Sequence, residues 1–321
     1  MNKKRPFVFL LLIAIAINTV CGQPVKEHGK LATDGIYLVD QDSEPLVLRG
    51  VSFGWHNWWP RFYTEGTVKW LADDWSVTVI RAAMGVEPDK GYLNKPEWSQ
   101  QTIETVIEAA IEHDVYVIFV WHSHWVQLEA ARTFFKEMAE KYGQYPHVIY
   151  EIFNEPVRDP WEEIKAYSVE IIKTIRETDP DNIIIVGSPH WDQDLHLVAD
   201  DPIEGYDNLM YGLHFYAATH KKELRDRGDY AMKKGIPLFV SESAGMSSNG
   251  DGPIDYKSWH KWIDWMEDNK ISWVCWSISD KNETCSMLYP TASSDGNWTS
   301  SDLKESGAKT RKLLREFEQK K

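Results

Sequence analysis

Two glutamates sit four residues apart in the run V-I-Y-E-I-F-N-E-P at 148–156: Glu151 in its middle, and Glu155 behind Asn154 at its end. The run is apolar, β-branched and aromatic, so it reads as a buried strand. An ionised carboxylate there costs several kcal/mol or more unless it is paired or hydrogen-bonded. On a regular strand the two side chains share a face but stand roughly 13 Å apart. A retaining glycosidase pair needs about 5.5 Å and an inverting pair stays under about 10 Å. Glu155 therefore needs a partner from elsewhere. Glu151 is expected deeper, as a structural carboxylate hydrogen-bonded or paired with an interior cation.

The partner candidate is Glu242, in the run L-F-V-S-E-S. Other polar residues also fall where apolar runs end: Arg81, His122 and His124, Asn154, His214 and Tyr216, with Trp276 in a similar place. Two carboxylates opposed across a pocket suit glycoside hydrolysis, one protonating the leaving oxygen and the other attacking or activating water. Trp55, Trp58 and Trp59 in one loop, with Trp276 and Trp298, offer flat faces for sugar rings. His122 and His124 lie two apart and could point the same way from a strand, which keeps a metal hydrolase as the rival chemistry. Against it, there is no H-E-x-x-H and no further ligand stands out at metal-like spacing, so no metal or cofactor is expected.

Something must bring these residues together. Short apolar runs at 46–53, 77–84, 115–122, 148–155, 182–188, 209–216, 237–243 and 272–279 give eight strand candidates, and most are followed by a segment with helical spacing. Repeated strand–helix units predict a parallel sheet, and near-continuous apolar strands predict burial on both faces. The segment after the fifth run, around 194–203, is short for a helix. The piece at 29–40 reads as a β-hairpin on the barrel floor. An open doubly wound sheet normally carries a glycine-rich phosphate turn after its first strand, whereas G-W-H-N-W-W-P stands there. The expected fold is a single (β/α)8 TIM barrel, whose catalytic groups gather at the carboxyl ends of its strands.

The first residues, M-N-K-K-R-P followed by an apolar run and then Val20, Cys21 and Gly22, read as a signal peptide over 1–22. Residues 23–321 are then one exported catalytic domain, extracellular or periplasmic, with no membrane association after cleavage. Thirty-five basic against 49 acidic residues give a net charge of −14, which argues against nucleic acid or an anionic membrane as partner. Cys275 and Cys285 could join across a short loop or stay reduced, and spacing does not decide it. Asn282 and Asn297 fit the glycosylation sequon, but Asn282 lies between two expected cleft residues, where a glycan would obstruct substrate.

The runs I-Y-E-I-F-N-E-P, G-L-H-F-Y-A-A-T-H, L-F-V-S-E-S and C-W-S-I-S-D-K-N-E-T, with W-T-S-S-D-L-K-E-S-G from 298, resemble glycoside hydrolase family 5, especially its subfamily 2 bacterial-type endo-β-1,4-glucanases. The resemblance implies a monomer acting with retention on a β-1,4-glucan polysaccharide, Glu155 as acid/base and Glu242 as nucleophile. It implies that Asn154 binds the sugar 2-hydroxyl, that His122 and His214 position the carboxyl groups and sugar, and that Trp276 stacks on a ring. Trp58, Lys281 and Glu283 match contacts on the donor side. The expected electrostatics follow: Glu155 raised by burial and by the charge of Glu242, and Glu242 kept ionised by Arg81 and Tyr216. Departures fall at Gly54, where the family usually has His, and at Gly85, Val120 and Ser243. Whether His56 replaces the missing His is open, as is another backbone such as mannan, xyloglucan or xylan. A barrel that binds carbohydrate without cutting it is the non-enzymatic alternative.

Overall fold

A computed structural model describes residues 22–319. Eight parallel strands close into a barrel: β3 (Arg49–Phe53), β4 (Val79–Gly85), β5 (Tyr116–His122), β6 (Val148–Glu151), β7 (Ile184–Val186), β8 (Leu209–Tyr216), β9 (Leu238–Ala244) and β10 (Ser272–Ile278). Neighbours follow chain order and β10 pairs with β3. All eight expected strands are present, most with shorter ends. The largest trim at a single end is in β6, which stops at Glu151, so Asn154 and Glu155 sit on the loop beyond it. The expected signal peptide falls, apart from Gly22, outside the described residues.

Two apolar layers explain why these segments become strands. Alternate residues of β5, Val117, Phe119 and Trp121, face outward and pack among Phe134, Phe135 and Met138 of α4 (Leu128–Tyr142). The intervening Tyr116 and Ile118 face inward and meet Val79, Ile149, Met210, Phe239 and Val274 in the lower barrel. Burial on both faces is why the strand sequences lack polar alternation. The outer ring continues with α2 (Glu65–Trp75), α3 (Pro96–Glu112), α5 (Trp161–Arg176), α8 (Lys222–Lys233), α9 (Tyr256–Asp268) and α10 (Glu305–Glu318). Local signals set their starts. Thr64 caps α2 by accepting the Thr67 amide, Asp255 caps α9 by accepting that of Ser258, and Pro96 opens α3.

The floor is closed as expected. Strands β1 (Ala32–Asp34) and β2 (Tyr37–Val39) form an antiparallel hairpin; Leu38 of β2 and Leu31, just before β1, pack with Val25 of α1 (Pro24–His28) against the lower barrel layer. After β7 there is no long helix. A four-residue turn, α6 (Pro189–Asp192), leads into the six-residue α7 (Leu195–Asp200). Trp298 corrects an expectation: it is 1 % exposed, edge-on to Phe62 and Trp75, with Nε1 donating to the Ser293 carbonyl. Its ring belongs to the core and offers no face to a ligand.

One irregularity matters for the site. Along β8 and β9, Gly212 pairs with Phe239 and His214 with Glu242; along β9 and β10, Trp273 pairs with Val240 and Cys275 with Ser243. Both flanks therefore show one extra residue in β9, a β-bulge. A regular strand would send adjacent Ser241 and Glu242 to opposite faces. With the bulge, both side chains reach interior partners.

Candidate active site

The polar residues singled out in the sequence converge at the carboxyl end of the barrel, with one change of depth. Arg81 is the third residue of β4 and wholly buried, below the mouth and not on its rim. It reaches upward. Nε and Nη2 donate to the two oxygens of Glu151 at 2.7 and 2.9 Å, Nη2 also to Asn154 Oδ1 at 2.6 Å, and Nη1 to Glu242 Oε2 at 3.1 Å. Glu151 is thus a core carboxylate whose cation is Arg81, and its Oε1 also accepts the Ser241 hydroxyl at 3.0 Å. A bidentate guanidinium with further bonds is the geometry that offsets the cost of burying such charges.

Glu155 and Glu242 face one another above this pair. Glu155 Oε1 lies 2.9 Å from His214 Nδ1, and Glu242 Oε1 accepts the Tyr216 hydroxyl at 2.7 Å. One atom from each of Glu155, His214 and Glu242 falls within 4.8 Å of the others, so the carboxylates are close enough for one sugar carbon to lie between them. Among the described residues, His122 and His124 join no group of three potential metal ligands. Their rings instead flank Trp55.

A cleft of about 640 Å³ opens to one side of the two glutamates, lined by His124, His190, Trp191, Gln193 and His220. A narrower space of about 180 Å³ on the other side holds Trp55, Trp58, Trp59, His122, Trp276, Lys281 and Glu283. Trp58 is half exposed and stacks on Trp55 at 4.8 Å. Lys281 pairs with Glu283 at 2.5 Å. The sequence residues Arg81, His122, Asn154, His214, Tyr216, Trp58, Trp276, Lys281 and Glu283 are therefore all assembled at or beneath one cleft. Sequence reasoning missed the other wall. His190, Trp191 and Gln193 follow a strand's carboxyl end with an aromatic between polar residues, a pattern that could have marked them, but the sequence reading gives them no role and places its short helix only beyond them, around 194–203.

The glycine departures have a structural counterpart. A Cβ on Gly85 would meet the Trp55 ring at 2.7 Å and Asn57 at 2.4 Å, and one on Gly54 would meet Trp59 at 2.9 Å. The tryptophans of G-W-H-N-W-W-P occupy that space. His56 does not replace the missing His: it is buried away from the cleft, with Nε2 on Ser99 at 2.9 Å and Nδ1 accepting the Gly85 amide. Cys275 and Cys285 are both buried free thiols, not joined to each other. Asn282 and Asn297 are exposed.

The charges are arranged differently from the sequence expectation. Burial pushes Glu155 up, but the His214 hydrogen bond and the charges of His214, His124 and Arg81 outweigh it and hold the carboxyl below its ordinary value. Burial and the charge of Glu155 push Glu242 up by more than His214, Arg81 and Tyr216 bring it down. His214 causes the reversal. Burial disfavours its charge, yet Asp192, Glu155 and Glu242 around it push it up to about 9. His122, buried beside Arg81, is held neutral. Burial likewise keeps Tyr216 a protonated phenol that donates to Glu242.

Residues 39–282 match the family described as Cellulase (glycosyl hydrolase family 5). The chain is 39 % identical to an endoglucanase of Clostridium saccharobutylicum, over 97 % of this chain and 72 % of that protein. It spans 61 % to 72 % of the length of four such curated relatives. A solved protein from Cytophaga hutchinsonii superposes with a TM-score of 0.91 at 42 % identity, covering 92 % of this chain and 98 % of that one. The catalytic domain of Thermobifida fusca endoglucanase Cel5A, solved as a variant in complex with cellotetraose, superposes with a TM-score of 0.86 at 33 % identity, covering 92 % and 100 %.

Proposed function

The chain belongs to the cellulase family, glycosyl hydrolase family 5, and is an endoglucanase; from that premise we propose that it cuts β-1,4-glucan by retaining double displacement, with Glu155 as acid/base and Glu242 as nucleophile. The observation that supports this most is the approach of the two carboxylates to within 4.8 Å at one cleft, near the about 5–5.5 Å of retaining pairs and short of the about 6.5–9.5 Å that leaves room for water in inverting ones.

The proton inventory supports the same roles. The first step needs a proton on Glu155 and a charge on Glu242. The free site holds a proton in the His214–Glu155 hydrogen bond. Moving it from Nδ1 to Oε1 makes a neutral imidazole and a carboxylic acid, and it removes the negative charge that raises Glu242. One proton shift therefore arms the acid and frees the nucleophile to ionise. Glu242 then attacks the anomeric carbon while Glu155 protonates the leaving oxygen. With Glu242 esterified, Glu155 takes a proton from water as the water oxygen bonds to the anomeric carbon and the ester bond to Glu242 breaks, which releases the sugar and restores the Glu242 carboxylate. Asn154, whose Oδ1 is held by Arg81, has Nδ2 without a partner among the described residues and presents it to the 2-hydroxyl.

Because that proton belongs to a pair whose histidine is pushed up to about 9, kcat/KM on cello-oligosaccharides should stay high through neutral pH and fall as one proton leaves near pH 9. A fall already centred near the ordinary histidine value of about 6.5 would contradict the shared proton.

Substrate choice is read from the walls. The stacked Trp55 and Trp58, with Trp276, form the donor side, and the wider part with Trp191 takes the leaving chain. Trp58→Ala should raise KM for cello-oligosaccharides on the order of tenfold, the effect of about 1–2 kcal/mol of ring contact, with little change in kcat. A lowered kcat at unchanged KM would remove Trp58 from substrate binding. β-1,4-Glucan is favoured because a relative has been solved with cellotetraose. Initial rates on soluble cellulose, mixed-linkage β-glucan, mannan, xyloglucan and xylan test this, and mannan or xylan far ahead of glucan would overturn it.

The subfamily 2 resemblance, a monomeric state and export behind residues 1–22 complete the proposal. Exported protein beginning at Gln23 is the expected result of N-terminal sequencing.

A further inference from the structure

His214 has a second neighbour that the mechanism above leaves unused. Its Nδ1 faces Glu155, and its Nε2 lies 2.9 Å from Ser241 Oγ and 3.3 Å from Oδ2 of Asp192. Asp192 is wholly buried. Its Oδ1 accepts the Ser188 amide, whereas Oδ2 has no hydrogen-bond partner of its own.

The chain goes to some length to place this carboxyl. His190, Trp191 and Asp192 are three successive non-glycine residues in the left-handed region, with φ of 58°, 55° and 56°, a conformation unfavourable for each of them. The turn sends Trp191 to the cleft and Asp192 back toward β8. There Gly212, two residues before His214, makes room for it, since a Cβ at 212 would stand 2.9 Å from Asp192 Oδ2. Holding the turn needs only Oδ1. Nothing in the turn requires a second oxygen aimed at an imidazole.

We propose that Asp192 is a positioning residue for the acid/base: Ser241 Oγ, which donates to Glu151, takes the Nε2 proton of His214, and the Asp192 carboxylate 3.3 Å away stabilises the imidazolium, so that the Nδ1 proton is the one passed to Glu155. This rests on the reading of Glu155 as the acid. The chain Asp192–His214–Glu155 follows the logic of a carboxylate–histidine pair in which the buried acid stabilises the imidazolium. Other groups face His214 as well. Glu151 lies 3.9 Å from Nε2, and the charges of Glu155 and Glu242 raise it. Arg81 acts on Glu155 at the same mouth, and His122 and His220 both feel the charge of His214. Of the carboxylates among the described residues, only Asp192 approaches the ring from the Nε2 side within 3.5 Å. Burial pushes its own carboxyl well up, by more than the His214 charge and the Ser188 amide bring it back down.

The test is Asp192→Asn, which keeps an oxygen for the Ser188 amide but presents a donor or a neutral oxygen to Nε2. With cellotetraose, kcat/KM should fall on the order of 10- to 100-fold and its alkaline limb should move down by about one pH unit or more. With 2,4-dinitrophenyl β-cellobioside, whose leaving group needs no acid, formation of the glycosyl-enzyme should change less than about threefold. Equal losses on both substrates with an unmoved alkaline limb would assign Asp192 to the turn alone and overturn the proposal. A measurement on the unaltered enzyme guards against an Asp192→Asn protein that does not fold: ring ¹⁵N shifts of His214 at pH 7 should show Nε2 protonated. A bare Nε2 would overturn the proposal equally. If Glu155 is not the acid, Glu155→Gln itself would show no dependence on the leaving group, a failure distinct from either of these.

Discussion

Glu242→Gln is expected to abolish turnover, with kcat falling on the order of 10⁴-fold or more on every substrate, activated aryl cellobiosides included, because no carboxylate is left to form the glycosyl ester. Glu155→Gln should behave differently. Its loss on cello-oligosaccharides should be about 10²- to 10⁴-fold, the usual worth of a positioned acid, and much smaller in the first step on a dinitrophenyl glycoside. Glu155→Ala with added azide should release β-cellobiosyl azide, since a small anion needs no general base. Undiminished hydrolysis by either Gln variant would refute the assignment. Folding offers a check of a different kind. The Glu242 carboxyl sits above its ordinary 4.5, so the folded state holds that proton more tightly than the unfolded chain does. Its ionisation therefore costs stability as pH rises past 4.5. Glu242→Gln removes that cost, and at neutral pH its Tm should equal or exceed that of the unaltered enzyme.

Arg81→Met carries the second large effect, and it should appear in both stability and rate. Arg81 makes the only ion pairs of Glu151 with a permanent cation among the described residues, and it also donates to Glu242 and Asn154. Removing it strands a buried carboxylate, at about 3–5 kcal/mol of folding free energy. The companion change Glu151→Gln should restore most of that loss, measured by denaturant unfolding. The rate should stay low in the double variant, on the order of 10²-fold down, because Glu242 still lacks one of its donors. Recovery of both stability and rate would show that Arg81 serves the fold only. Loss of rate without loss of stability would show that Glu151 is not held as described.

Much of this was legible beforehand. The eight strands announced themselves because burial on both faces removes polar alternation, and Glu155 and Glu242 stood out because carboxylates at the ends of such runs are costly. Strand spacing also separated Glu151 from Glu155. What sequence could not show is geometry that depends on neighbours. The extra residue in β9 lets both Ser241 and Glu242 face inward, yet L-F-V-S-E-S carries no glycine or proline to mark a bulge. The depth of Arg81 follows from where β4 begins, not from its residue type. Trp298 looked like the exposed tryptophans because a ring's destination is set by what packs on it, here Phe62 and Trp75. The direction of the Glu155 shift was reversed because Asp192, distant in sequence from both glutamates, raises His214. Its position depends on a left-handed turn that P-H-W-D does not advertise.

The central claim is that Glu242 becomes covalently glycosylated within reach of Glu155. Incubation with 2,4-dinitrophenyl 2-deoxy-2-fluoro-β-cellobioside slows both steps but spares the first through its leaving group, so the intermediate should accumulate. Intact-mass measurement should then show one added fluorocellobiosyl unit, and peptide mapping should place it on Glu242. A label on any other residue, or no label together with release of the α-anomer from an unmodified substrate, would contradict the account.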